Sequence, residues 1–309
     1  MSPPHFLAIG LNPALQKSLT FQGFTYGEVN RASQVKLAPG GKGYHVARVA
    51  HKLLPGSCLL IQLAGGETGH AVITAIEEEG IPVETIQTQA ATRTCTTVLD
   101  AATGTMTELI EPAGTVSAEE LAALKQTVEK HLTAVSGIAL CGTFPPGVGD
   151  DFYAWVASNK GSSTILLDGY KGVQKALDTR WIDILKVNAD EIRSLMGCES
   201  LDDAAAAAFE RIGLQALALT DGPSQAHLYK ADGTCTRYAL PVLDRVVNPL
   251  GAGDTCAGVM MTYLLKGHSL EEAFRWGLAA ATASCKQLRG ASFDLIDMQT
   301  FFDSITIQR

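Results

Sequence analysis

"VVNPLGAGDTCAGVMM", Val246–Met261, changes character in its middle. Ahead of it stands "RYALPVL", of strand type, and "TCAGVMMTYLLKG" continues it, small and apolar with no breaker until Gly258. Two glycines bracketing an alanine form the junction, and a carboxylate, Asp254, follows at once. The segment predicts a strand, a glycine turn and a buried helix, with Gly251 to Asp254 at the helix N-terminus. There the first backbone N–H groups lack intrahelical partners and the helix dipole adds partial positive charge, so small residues leave room for an anion. The plainer job for Asp at such a position is to cap the helix, and these four residues alone do not displace that reading.

The same kind of junction recurs along the chain. "HFLAIGL", "CLLIQLAG", "IPVETIQ", "GIALCG", "STILLDG" and "IDILKVN" read as strands. Between them lie the helical patterns "GYHVARVAHKLL", "HAVITAIEEEG", "SAEELAALKQTVEKHL", "DDFYAWVASNKG", "VQKALDTR" and "ADEIRSLMG". Val46, Val49, Ala50 and Leu53 share one helical face, and Ser117 with Glu120 spells a capping box. This βαβα rhythm predicts an α/β fold with a mostly parallel central sheet covered on both faces. Two stretches break it. About residues 14–38 and 92–112 alternate polar and apolar positions around glycine, which predicts hairpins with one wet face. The chain shows no repeat, low-complexity tract or linker, so a single α/β domain over 1–309, carrying a small β-sheet lid from those two stretches, is expected.

Composition narrows the function classes. With 309 residues, 46% of them hydrophobic and 30 glycines, the chain is globular. A net charge of -8 gives no basic footprint, so neither nucleic acid nor an anionic membrane surface is an expected partner. Seven scattered cysteines without a C-x-x-C pair disfavour a disulfide framework and a zinc ribbon, and fit a reducing compartment. "MSPPHFLAIGLNPALQ" has no basic region before its short apolar run, so it reads as a first strand and not as a signal peptide. No run approaches the roughly 18 apolar residues of a membrane helix. A soluble, cytoplasmic protein is expected. A dinucleotide fingerprint would need glycine at Cys256, and "PGGKGYH" departs from a Walker loop because Gly43 follows Lys42.

"GGKGYHVARVA" near the start and "NPLGAGDTCAG" near the end resemble the two signatures of the ribokinase-like PfkB carbohydrate kinases. "NPALQ", "GEVNRA", "TRT", "CGTFPPGV", "KVNADE" and "LTDG" extend the resemblance in family order over nearly the whole chain. "GEVNRA", "TRT" and "FPPGV" resemble the phosphosugar branch (1-phosphofructokinase, minor 6-phosphofructokinase, tagatose-6-phosphate kinase), and "VVNP" leans toward the last. The resemblance implies a ribokinase-like three-layer fold. It implies phosphoryl transfer from ATP to a hydroxyl of a phosphorylated ketohexose: fructose 1-phosphate, fructose 6-phosphate or tagatose 6-phosphate.

By that resemblance Asp254 is the general base, and the amides of Gly251, Ala252 and Gly253 hold the transferring phosphoryl oxygens. The physics agrees, because phosphoryl transfer needs positioning and charge neutralisation more than covalent chemistry. Gly41, Lys42 and Thr143 fall to the acceptor side, with Gln16 and His45. Arg31 and Arg93, in the two lid segments, would fork onto the phosphate already on the sugar. Lys186, Asn188, Glu191, Thr220, Gly222, Gly253, Ala283 and Ser284 fall to the nucleotide. Asn188 and Glu191, three apart after a strand, would serve Mg²⁺ through water, which suits an ion that keeps most of its waters. Plainer roles compete at each: a solvated Lys42, surface arginines, a capping Asn188, a helix-face His45.

Two positions depart from the family, which has Asp where Gln16 stands and Asn where His45 stands. Gln carries no charge, and His is larger and changes charge near neutral pH. Both bear on the acceptor, which leaves two alternatives: a kinase of a different sugar or sugar phosphate, or a sugar-phosphate sensor without turnover. Uncovered apolar faces on the lid hairpins make a homodimer joined through the lid the expected assembly.

Overall fold

The computed structural model describes residues 5–308; Met1–Pro4, on which the signal-peptide reading partly rests, and Arg309 lie outside the described residues. Strands and helices are numbered in chain order. The large sheet has ten strands. At its heart β1 (Phe6–Gly10) lies beside β4 (Cys58–Gly65), with β5 (Val83–Thr88) beyond. On its other side follow β8 (Gly137–Cys141), β9 (Thr164–Asp168), β10 (Ile184–Asn188) and β11 (Ala216–Asp221). These seven run parallel. β12 (Gln225–Lys230), β13 (Cys235–Ala239) and β14 (Thr306–Gln308) extend the sheet antiparallel. Every residue of β1, β4 and β8 is buried, as strands covered on both faces require.

Helices cover both faces. On one lie α1 (Lys42–Leu53), α2 (Gly66–Glu78), α8 (Ala252–Leu265), α9 (Leu270–Ser284) and α10 (Leu295–Ser304), sharing a core with Phe6, Ala8 and Leu60. On the other lie α3 (Ala118–Leu132), α4 (Asp151–Ser158), α5 (Gln174–Asp178), α6 (Ala189–Met196) and α7 (Leu201–Ile212), packed on Leu7, Ile9 and Ile61. Alternate residues of one strand thus serve opposite cores. The expected capping box forms at the start of α3, where the Ser117 hydroxyl accepts the Glu120 amide and the Glu120 carboxylate accepts the Ser117 amide.

The two expected hairpins occur as β2 (Ala14–Phe21) with β3 (Gln34–Gly40), and β6 (Thr94–Asp100) with β7 (Thr105–Ile110). A parallel pairing of β2 with β6 joins them into a separate four-stranded sheet. One face of that sheet is wet and apolar at once: Val35, Leu37 and Leu109 share it by register and are exposed.

The structure corrects one boundary. "RYALPVL" was read as a strand running close to the glycine turn, but β13 stops at Ala239 and no strand or helix forms again before Ala252. Pro241 has no N–H to give a ladder, and Pro249 ends any extension.

Glycine sets the spacing between α1 and its two neighbours. A Cβ on Gly10 would stand 2.5 Å from the Gly43 Cα, so α1 lies with its first turn on the β1 backbone. A Cβ on Gly258 would stand 2.4 Å from Val49 Cγ2 and 2.9 Å from the Val46 carbonyl oxygen, which brings α8 hard against α1. Gly258→Leu is therefore expected to destabilise the protein by about 1–3 kcal/mol through overpacking. Gly23→Ala, where the new methyl meets nothing within 4 Å, should stay within about 0.5 kcal/mol. Urea denaturation of the two variants checks the contrast.

Candidate active site

The carboxyl ends of β1, β8 and β9 open into one cleft of about 900 Å³, lined among others by Gly10, Asn12, Cys141, Thr143 and Gly169. The chain departs from β1 toward β4 on one side and reaches β8 on the other, the kind of strand-order reversal at which open α/β sheets bind ligands. Gln16, Lys36, Leu37, Glu108 and Ile110 of the small sheet form the opposite wall.

Two helices begin at this cleft, and both begin the same way. Gly41 precedes α1 with φ 113°, Gly251 precedes α8 with φ 75°, and neither start has a side-chain cap. Positive φ is what glycine tolerates, and the missing side chain leaves the amides bare. Asp254 lies in the first turn of α8 and is not the cap residue. The Ala252 amide donates to the Pro249 carbonyl at 3.2 Å; among the described residues the amides of Gly251 and Gly253 have no such backbone partner.

Asp254 is 8% exposed, and its Oδ2 lies 2.7 Å from His45 Nδ1. Lys42 Nζ lies 3.9 Å from Asp254 Oδ1 and 2.6 Å from Asp168 Oδ1, and Lys186 Nζ lies 3.5 Å from Asp168 Oδ2. Burial pushes the Asp254 carboxyl upward, but the His45 hydrogen bond and the Lys42 and Lys186 ammoniums outweigh it and hold it down at about 2. For Lys42, burial works against the charge, and Asp168 and Asp254 outweigh it, so its proton is held more tightly than in water. Asp168 is 1% exposed and its Oδ2 has no hydrogen-bond partner within the protein. Sequence reasoning passed over this residue. Its signal was available: a carboxylate ending the buried strand "TILLD" needs compensation wherever it lands.

Of the residues expected at the acceptor, Gln16 donates from Nε2 to Thr97 Oγ1 at 2.6 Å, across β2 and β6. Arg93 lines the cleft and donates from Nη2 to the Asn12 carbonyl at 3.2 Å, while its buried Nε has no partner. Asn12 in turn donates to the Thr143 hydroxyl at 3.2 Å. Arg31 is exposed and does not line the cleft. At the far end Arg48, Arg289 and Tyr44 converge on Glu79. Burial raises the Glu79 carboxyl, yet these three hydrogen bonds bring it below its ordinary value.

Of the residues expected at the nucleotide, Asn188 and Glu191 form a complete capping box on α6, the Asn188 side chain accepting the Glu191 amide at 2.8 Å and the Glu191 carboxylate accepting the Asn188 amide at 2.9 Å. Glu191 also lines the cleft. Lys186 lies beneath the turn, its Nζ 2.9 Å from where a Cβ on Gly253 would stand. Thr220 is the last residue but one of β11, Gly222 takes φ 67° in the following turn, and Ala283 and Ser284 are buried at the end of α9. None of these four lines the cleft. Among the described residues no three His, Cys, Asp or Glu side chains cluster as a metal cage. Glu191, the carboxylate of the α6 capping box that reaches the cleft, suits a magnesium ion held mainly by water and phosphate.

The pattern of the pfkB family carbohydrate kinases matches residues 14–296. The chain is 27% identical over 307 residues to the ATP-dependent 6-phosphofructokinase isozyme 2 of Mycobacterium tuberculosis, covering 97% of this chain and 89% of that protein. Phosphofructokinase-2 from Escherichia coli, solved in complex with substrates and products, superposes with a TM-score of 0.86 at 25% identity, covering 97% and 99% of the two chains. Ribokinase from Arabidopsis thaliana, solved with ribose and ATP, gives 0.76 at 19% identity over 98% and 99%. Fold, sheet order and family pattern agree: the chain has the ribokinase-like fold and belongs to the pfkB family of carbohydrate kinases.

Proposed function

We propose that this kinase transfers the γ-phosphoryl group of ATP to a hydroxyl of a phosphorylated ketohexose, with Asp254 as general base. The observation that supports it most is a carboxylate held ionised beside two open helix starts, with only Oδ2 hydrogen-bonded inside the protein. Oδ1 is left to accept the proton of an attacking hydroxyl. The amides of Gly251 and Gly253, with Lys42 and Lys186, stand where negative charge on the transferring group needs neutralising. A carboxyl held at about 2 is a weak base, which suits a loose transition state in which the proton leaves the hydroxyl late. Bound magnesium supplies charge neutralisation at the phosphates, and Glu191 with Asn188 is the water-mediated holder this chain offers.

Arg93 is the arginine proposed for the acceptor's own phosphate, since it lines the cleft and Arg31 in the same chain does not. The small sheet is proposed as the lid of a single domain, and its exposed Val35, Leu37 and Leu109 as the face that a second copy covers. The acceptor is read as a ketohexose phosphate held by other contacts than those of its relatives. Gln16 gives its amide to Thr97 and His45 is bonded to Asp254, so the two departing side chains are already engaged within the protein.

Asp254→Asn is expected to lower kcat by about 10²- to 10⁴-fold while the fold and ATP binding persist; ADP release across a panel of phosphosugars with ATP and magnesium measures it. Wild-type turnover in the variant contradicts the base assignment. Because the folded-state pKa of Asp254 is depressed, its ionised form persists down to about pH 2, so this carboxylate contributes no acid limb to the rate above pH 4. Arg93→Met should raise the acceptor KM by roughly ten- to a hundredfold for a sugar phosphate and change it little for the free sugar. Val35→Lys with Leu109→Lys is expected to shift a dimer to monomer in sedimentation velocity.

A further inference from the structure

His45 stands where the family has asparagine, and it is the side chain that touches the proposed base. Its Nδ1 is 2.7 Å from Asp254 Oδ2, with the two residues 209 positions apart in the chain. The imidazole is a wedge between α1 and the start of α8. Nδ1 lies 3.1 Å from where a Cβ on Gly251 would stand, and the Tyr44 ring lies on the same turn with centroids 5.5 Å apart. An ionised carboxylate has only acceptors to offer, so Nδ1 carries a proton and donates it to Oδ2, while Nε2 points away from the carboxylate. Nε2 has no hydrogen bond to any described residue, and His45 lines the cleft. The other charged groups of this part of the cleft are Lys42 on α1, Glu79 after α2, and Arg289 between α9 and α10.

We propose that His45 is a positioning residue: it locks Asp254 through Oδ2 so that Oδ1 alone meets the reacting hydroxyl, and it presents Nε2 to a neighbouring hydroxyl of the acceptor. This rests on the reading of Asp254 as the base. Asp254 has one carboxylate rotor and two chemically equal oxygens; a fixed N–H on one of them selects the other for chemistry. An asparagine amide can reproduce the Nδ1–H donor but reaches no further. Substitution therefore separates the two halves of the role. Phenylalanine removes both, and asparagine removes only the contact with the acceptor.

Steady-state kinetics of His45→Phe and His45→Asn, alone and with Asp254→Asn, test the proposal on the full chain. His45→Phe should lower kcat roughly ten- to a hundredfold, and the double variant His45→Phe/Asp254→Asn should lose no more than Asp254→Asn alone, because residues acting as a unit are not additive. His45→Asn should recover kcat to within about tenfold of wild type while the acceptor KM stays raised. A His45→Phe enzyme with wild-type kcat, or losses that multiply in the double variant, overturns the positioning role and leaves the kinase reading standing. Absence of turnover with every sugar phosphate overturns both. An independent readout needs no substrate: long-range ¹H–¹⁵N spectra at neutral pH should show His45 with its proton on Nδ1, moving to Nε2 in Asp254→Ala. A wild-type ring with no proton on Nδ1 overturns the proposal, and this result stands even if His45→Phe folds poorly.

Discussion

A negative charge sealed inside a protein must be answered by nearby donors or cations, or it will take up a proton. Asp254 is buried in the first turn of a helix, and its charge survives because His45 and Lys42 from α1 and Lys186 from the middle of β10 converge on it. Asp168 repeats the problem one strand away and shares the same lysines. The five ionisable groups, His45, Lys42, Lys186, Asp168 and Asp254, form one network, so no member can be removed without leaving another uncompensated. This interdependence fixes the floor of the cleft more firmly than any single contact.

The fold supplies the distances that the network needs. Parallel strands deliver Asp168, Lys186 and the loop of Thr143 to one edge of the sheet, since every parallel strand ends on the same side. Glycines 10, 43 and 258 let α1 approach both β1 and α8 without intervening side chains, which carries His45 to Asp254. A larger residue at any of these would open the spacing by more than a hydrogen bond tolerates. The second sheet hangs from the ends of β1 and β5 and stands over the same edge, so one cleft has a rigid floor and a separate roof.

Much of this was readable along the chain because its causes are local. Apolar strands alternating with helical patterns, the capping box at Ser117, the hairpins around Gly23 and Gly104, and the paired glycine junctions each occupy a short window, and each took the form its window dictated. What escaped depends on partners far away in sequence. Asp168 reads as a polar end to a strand until Lys42, 126 positions earlier, is seen beside it. His45 was read toward the acceptor, and its bond to Asp254 follows from the packing of α1 on α8, which no window contains. α7 offered little periodicity because Ala204 to Ala208 are identical, and the strand before α8 ended early at a proline that the apolar run disguised. Arg31 and Arg93 looked alike in their motifs, and only the fold separates the one at the cleft from the one on the surface.

The most direct measurement is a crystal structure with a non-hydrolysable ATP analogue, magnesium and a phosphorylated ketohexose. One acceptor hydroxyl is expected within roughly 3 Å of Asp254 Oδ1, in line with the γ-phosphorus, while Oδ2 keeps its bond to His45. An acceptor hydroxyl that reaches the γ-phosphate from elsewhere in the cleft, with Asp254 touching no ligand, would contradict it.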